Sequence, residues 1–166
     1  MARRVLEDCR SALEELREEP TSTEWRRRWI TMLTLLRVVG HVLVNVDRKA
    51  DAVLAEIIDR HWRQVIDSRP KPEIFWKFIE EERNNILKEY KVNAGINVTV
   101  RPGTTSYNLK TGEEKEIAAS QPTLHDYVIN SGHFEGQDQR DVVARAIEWW
   151  DSYLTDIENE YSERNT

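Results

Sequence analysis

The sequence predicts a mainly α protein: an antiparallel bundle of about five helices, with a small β-hairpin-containing insertion before the last helix. Three observations carry that expectation. Apolar residues recur at helical spacing through residues 3–91 and again after residue 138. Five of the 6 glycines lie between Gly95 and Gly136, and residues 1–91 contain only Gly40; helices tolerate glycine poorly, whereas turns need it. The 166 residues are 39% hydrophobic and include 6 Trp, 5 Tyr and 3 Phe, enough for one packed core and too much for general disorder. The expected layout is a single domain over 1–166, with bundle segments 3–91 and 138–162 and a β-rich insertion over 92–137.

The first helix is expected from Arg3 to Glu18, with Val5, Leu6, Cys9, Leu13 and Leu16 on one stripe. Pro20 and the polar Thr21-Ser22-Thr23 stop it, and Thr23 reads as the N-cap of the next. That second helix runs from Glu24 to Asn45, carrying Trp25, Trp29, Met32, Leu36, Val39 and Leu43. Its β-branched run VVGHVLVNV has strand propensity but continues the helical stripe, which favours helix. Asp47 reads as the N-cap of a third helix reaching Ile66, with Val53, Leu54, Ile57, Ile58, Trp62 and Val65 inward. Ser68-Arg69-Pro70-Lys71-Pro72 breaks the chain, and a fourth helix follows from Glu73 to Lys91. Asn97–Val100, Ser106–Leu109 and Lys115–Ala118 read as strands, the last two joined around Lys110–Glu113. His125–Gly136 reads as loop with a strand-like DYVI. The last helix begins near Asp138 and extends to Tyr161, with Val142, Val143, Ile147, Trp150, Leu154 and Ile157 inward.

Charge and cysteine content narrow the function classes. The net charge of −6 argues against non-specific coating of nucleic acid or anionic membrane. One cysteine, Cys9, excludes an intramolecular disulfide framework and a Cys-only zinc site, and fits a reducing compartment. The N-terminus, MARRVLEDCR, lacks an apolar signal core, so a cytoplasmic protein is expected. Trp29–Val46 is the longest apolar run, but Arg37 sits near its centre with His41 and Asn45 following. A central Arg costs about 2.5–3.5 kcal/mol on insertion scales, so the run reads as a buried bundle helix, with no membrane partner.

The informative stretch is IFWKFIEEERNNILKEYKV, residues 74–92. At about 100° per residue from Phe75, Ile86 falls at about 20°, Ile79 at about 40°, Tyr90 at about 60° and Arg83 at about 80°. Arg83 therefore sits in the apolar arc, with Tyr90 along the axis two turns on. A buried guanidinium demands a partner. A carboxylate such as Glu24, Asp47 or Asp51 is one, a subunit interface a second, and an anionic ligand recognised by the planar fork a third.

The run Arg83-Asn84-Asn85-Ile86-Leu87-Lys88-Glu89-Tyr90 on a bundle's fourth helix resembles the signature of the HEPN superfamily (higher eukaryotes and prokaryotes nucleotide-binding domains). There an Arg, often followed by Asn, precedes a His by four to six residues, sometimes with a Tyr two positions later. Arg83, Asn84 and Tyr90 match; Lys88 stands at the histidine position. The resemblance covers the helical framework of residues 24–91, with the last helix as a further candidate, and not the insertion. It implies an all-α fold, homodimers pairing the motif helices and, often, a metal-independent RNase in which Arg contacts the scissile phosphate and His moves a proton. On that basis Arg83, Lys88 and Tyr90 are the candidate catalytic residues, and Arg83 and Asn84 the candidate nucleotide- or RNA-binding residues. Lysine ordinarily titrates at about 10.4 and is a poor base at neutral pH. His41, which interrupts the apolar second helix, is the better replacement acid/base.

No metal or other cofactor is expected: His41, His61, His125 and His133 include no i,i+4 pair. Arg26-Arg27-Arg28 and the group Arg60, Arg63, Arg69 and Lys71 are local basic patches, which ordinarily mean solvated helix faces. The leading expectation is a prokaryotic nucleotide- or RNA-binding module of toxin or defence type, homodimeric, with an RNA or nucleotide ligand and room for an unidentified protein partner. The alternative is a structural or protein-interaction bundle in which Arg83 is ion-paired.

Overall fold

The computed structural model describes residues 1–18, 22–99, 104–107, 114–117 and 124–165. Five helices dominate it: α1 Ala2–Arg17, α2 Ser22–Asn45, α3 Ala52–Asp67, α4 Glu81–Glu89 and α5 Gln139–Arg164. A 3-10 turn, Asp47–Lys49, precedes α3, and a π-helical segment, Ile74–Glu80, runs directly into α4. Between α4 and α5 lie β1 Ala94–Thr99, β2 Thr104–Tyr107, β3 Glu114–Ile117 and β4 Leu124–Ile129. The mainly helical bundle with a small antiparallel insertion is thus the observed fold class.

α2 is the axis of the bundle. Trp25, Trp29, Met32, Leu33, Leu36, Val39 and Leu43 are all buried, against α1 on one side and the π segment, α4 and α5 on the others. By length and composition α2 could cross a membrane; here its apolar stripe is the packing surface for the other helices. Two aromatic groups fill the centre. Trp25 stacks on Trp29, which meets Phe78, which in turn meets Phe134. On the other side Phe75 touches Trp62, Trp76, Trp149 and Trp150. Cys9 is buried among α1's apolar residues, and burial pushes its thiol up to about 12, so it behaves as a small core residue.

Several caps differ from expectation. α2 begins at Ser22, which places Thr23 inside the first turn rather than at the N-cap. Asp47 does not cap α3. Its carboxylate instead accepts hydrogen bonds from the Ala2 backbone N–H and the Met1 amino group, both at 2.7 Å. It thereby caps α1 from 45 residues away, a long-range use of a residue type that sequence reads as local. The α3 cap is Asp51, whose side chain accepts from Val53 N and Leu54 N at 2.8 and 3.0 Å. Asp138 caps α5 as expected, accepting from Arg140 N.

The insertion corrects one assignment and extends another. Within His125–Gly136, read as loop with a strand-like DYVI, the strand-like part is a strand that starts two residues earlier: Leu124–Ile129 forms β4 and pairs antiparallel with β1, from Ala94↔Ile129 to Thr99↔Leu124. Tyr127 and Ile129 alternate into the core while the backbone pairs with a segment about thirty residues earlier, a partner no local pattern reveals. The same pairing starts β1 at Ala94 rather than Asn97. β2 and β3 form a second ladder, Thr104↔Ile117 to Tyr107↔Glu114. The expected strand ends at Val100, Asn108, Leu109 and Ala118, and the turn at 110–113, lie outside the described residues.

One buried side chain joins insertion and bundle. The Gln139 amide, fully buried at the start of α5, accepts from Trp25 Nε1 at 3.0 Å and donates to the Gly95 carbonyl at 3.2 Å. An amide supplies both an acceptor and donors, so one residue ties α2, β1 and α5 together. Gln139→Leu strands the indole N–H and a strand carbonyl, and is expected to lower unfolding free energy by about 2–4 kcal/mol, measured by urea denaturation.

Candidate functional site

Arg37 and His41 lie one helical turn apart on α2, hence on one face, and Arg83 of α4 comes up beside them. The three side chains, with Thr34 and Val38, line a cleft of about 130 Å³. Arg83 is half-buried and donates from Nη1 to Asn84 Oδ1 at 2.9 Å. Arg37 is half-buried too, and its Nε is buried without a hydrogen-bond partner. Burial first, and then the nearby Arg83 charge, lower the Arg37 pKa, opposed by Glu80. Among the described residues no carboxylate forms an ion pair with Arg37 or Arg83. Two of the acids considered for Arg83 are engaged elsewhere, Asp47 on α1 and Asp51 on α3.

His41 is exposed at the mouth of this cleft. Partial desolvation, then the Arg37 and Arg83 charges, hold its imidazole below the usual range. A neutral ring lining the same cleft as two guanidinium groups can accept a hydrogen bond at neutral pH. The geometry therefore offers two fixed positive charges and one uncharged imidazole around a space open to solvent, an arrangement matched to a phosphate or another compact anion.

The other expected site residues lie apart from this cleft. Asn84 is at its margin, tied to Arg83. Lys88 is exposed on α4 and does not line the cleft. Tyr90 is 68% exposed and lies beyond the helix: α4 ends at Glu89, and Tyr90 adopts a left-handed conformation with φ 50°. Its N–H bonds the Ile86 carbonyl at 2.9 Å, the left-handed ending of an αL cap, and the Lys91 N–H bonds the Asn85 carbonyl at 3.1 Å. A wheel that assumes helix through Lys91 places Tyr90 in line with Arg83; the early stop removes that alignment.

The charged residue most deeply buried on this segment is Glu82, not Arg83. The inward stripe is Phe75, Phe78, Ile79, Glu82 and Ile86, with Arg83 at its edge. Glu82 Oε1 accepts from Asn93 Nδ2 at 3.2 Å, while Oε2 has no partner. Burial raises the Glu82 pKa, with Glu81 adding to the rise and the Asn93 bond and Lys91 opposing it. The signal for Glu82 was in the wheel, at about 340° from Phe75. That for Arg37 was an arginine placed i,i+4 from a histidine inside the longest apolar run.

Among the described residues no three His, Cys, Asp or Glu side chains gather as a metal site. No protein-family model matches the chain, and no curated protein or solved structure matches it significantly.

Two expectations on pH and stability follow from these environments. The folded protein disfavours the proton on His41, so that contribution is fully present above the ordinary imidazole pKa of about 6.5 and is lost as pH falls. The urea midpoint should drop between pH 7 and pH 5, and His41→Gln should reduce the drop. Glu82 has the opposite sign: its raised pKa makes the charged form destabilising at neutral pH. Glu82→Gln keeps an acceptor for Asn93 and should raise the thermal midpoint at pH 7, by an amount that shrinks toward pH 4.

Proposed function

We propose that the chain is a nucleotide- or RNA-binding module of HEPN type, belonging to the toxin or defence class, that grips phosphate between α2 and α4. The observation that carries this reading is the pair Arg37 and Arg83, two half-buried guanidinium groups without a carboxylate partner beside an open cleft. Like charges brought together in a partly desolvated setting repel, and a bound phosphate turns that repulsion into two charge-assisted contacts. The resemblance at Arg83, Asn84 and Tyr90 supports the same ligand class independently of the geometry. Asn84 orients Arg83, and Lys88 and Tyr90, both exposed at the C-terminal end of α4, are the residues by which a longer RNA would be followed.

In the RNase form of this reading His41, rather than Lys88, takes the 2′-hydroxyl proton, because the imidazole is neutral and adjacent to the phosphate-binding arginines. The module acts in the cytoplasm as a homodimer that pairs the α4 helices; that assembly and the biological class rest on the resemblance.

Binding of a labelled single-stranded RNA, followed by fluorescence anisotropy, tests the phosphate grip. Arg83→Ala and Arg37→Ala should each weaken binding at least about tenfold, the loss of a charge-assisted contact, without lowering the thermal midpoint, since each relieves repulsion. Unchanged binding with a large loss of stability would place Arg83 in the scaffold instead. Light scattering at micromolar concentration should give a dimer, and a monomer there removes the paired-helix assembly.

A further inference from the structure

The cleft lined by Thr34, Arg37, Val38, His41 and Arg83 measures about 130 Å³. That is well under the roughly 300–1,000 Å³ of sites that enclose a whole ligand, and it suits a single phosphate group. Its polar inventory is short. The Thr34 hydroxyl donates to the Ile30 carbonyl at 2.8 Å, which commits its one proton within α2. Val38 has no polar group, and Asn84 Oδ1, at the margin, accepts from Arg83. Beyond the two guanidinium groups, His41 is the lining side chain that can bring a further donor to an anion.

The His41 ring is also uncommitted. Its backbone carbonyl accepts from Asn45 Nδ2 at 2.9 Å, but neither ring nitrogen has a hydrogen-bond partner among the described residues. The charges acting on the ring are Arg37, one turn earlier on α2, and Arg83 of α4. Glu80 of the π segment acts on Arg37. Tyr153 of α5 lines the adjoining space with His41, and burial pushes its phenol up, so it stays neutral. The empty cleft thus meets the imidazole with positive charge, which disfavours a third cation. A phosphate reverses that sign, because it attracts the protonated ring and accepts its N–H.

We propose that His41 is the third phosphate ligand of this cleft and that it binds as the imidazolium, so that each phosphate gripped by Arg37 and Arg83 brings a proton with it. This role rests on the phosphate-binding reading above and adds the condition under which that site fills. Solvent supplies the proton, one ring nitrogen takes it, and the new N–H donates to a phosphate oxygen. By linkage, affinity rises as pH falls between the ring's pKa in the complex and its lower pKa in the free protein, and levels off outside that range. Grip and proton transfer then use opposite forms of one ring. In the RNase form turnover needs the neutral imidazole, so binding strengthens and turnover slows as pH falls.

The probe is a labelled 2′-O-methyl oligouridylate with hydroxyl ends, which lacks the 2′-hydroxyl needed for cleavage and carries only phosphodiester charges. Anisotropy of the full chain from about pH 8 to about pH 5.5, across the ordinary imidazole range, should show binding tighten about five- to tenfold, the increment of one charge-assisted hydrogen bond. His41→Gln should flatten that profile and bind about tenfold less tightly than the unaltered protein at the acid end. Calorimetry at about pH 6.5 in two buffers of different ionisation enthalpy should give net proton uptake on binding, and His41→Gln should remove it. The same pH profile in both proteins, or binding without proton uptake, overturns this role of His41 and leaves the phosphate grip standing. Binding that survives Arg83→Ala undiminished, or no binding at any pH, removes the phosphate reading and this role with it.

Discussion

Nearly everything in this protein depends on how much of its circumference α2 commits to the core. Seven of its side chains from Trp25 to Leu43 are buried, and α1, the π segment with α4, and α5 all pack against it. Burial on that scale is the dominant favourable contribution to the fold. The other described side chains of α2 are partly or wholly exposed, and beside α4 the helix carries Thr34, Arg37, Val38 and His41. Those polar groups are thereby set at the rim of an apolar core, where charges keep part of their hydration and lose the rest. The lowered pKa values of Arg37 and His41 are the consequence.

The other half-buried arginines among the described residues behave differently. Arg3 reaches Asp151 and Glu158 of α5, Arg28 reaches Glu18, Arg48 forms a two-point contact with Asp59, and Arg140 pairs with Asp138. Arg60, His61 and Arg164 converge on Glu160, whose carboxyl is held down to about 2 by the Arg60 and His61 contacts. In an acidic chain carboxylates are plentiful, so two adjacent half-buried arginines without one stand out. Exposed pairs of this kind contribute little to stability, but they show that the fold supplies partners where the side chains can reach them. At Arg37 and Arg83 it does not.

The π segment and the ending of α4 together determine which face the Arg83 helix presents. Phe75, Phe78 and Ile79 anchor the wide turn in the core, Glu82 follows them inward, and Arg83 is carried to the edge beside α2. π turns are uncommon and recur at functional sites. The left-handed Tyr90 then ends the helix and sends the chain toward Asn93, whose amide covers Glu82 and whose carbonyl receives the Asn130 N–H of the β1–β4 pairing at 2.7 Å. Through this connection the insertion is bound to the bundle beneath the site, with Gln139 as the second tie.

The sequence by itself determined the five helices, their inward stripes and the position of the insertion, because 3.6-residue periodicity and the placement of glycine and proline are local properties. It also marked Arg83 and His41 as residues whose surroundings had to be unusual, since a charge or imidazole within an apolar face is expensive. What it did not determine were the relations between residues far apart in the chain. Asp47 caps α1 rather than α3, β4 finds β1, and Arg37 meets Arg83 across 46 positions. Each of these depends on the three-dimensional course of the backbone, and no single segment's pattern encodes it. The helix wheel, too, extends a regular helix past Glu89, whereas the local stop at Tyr90 is set by backbone hydrogen bonds to Ile86 and Asn85. Periodicity tells which face of a helix is buried; only the packed tertiary structure decides which other face it meets, because that choice is made by the best joint burial of all the stripes at once.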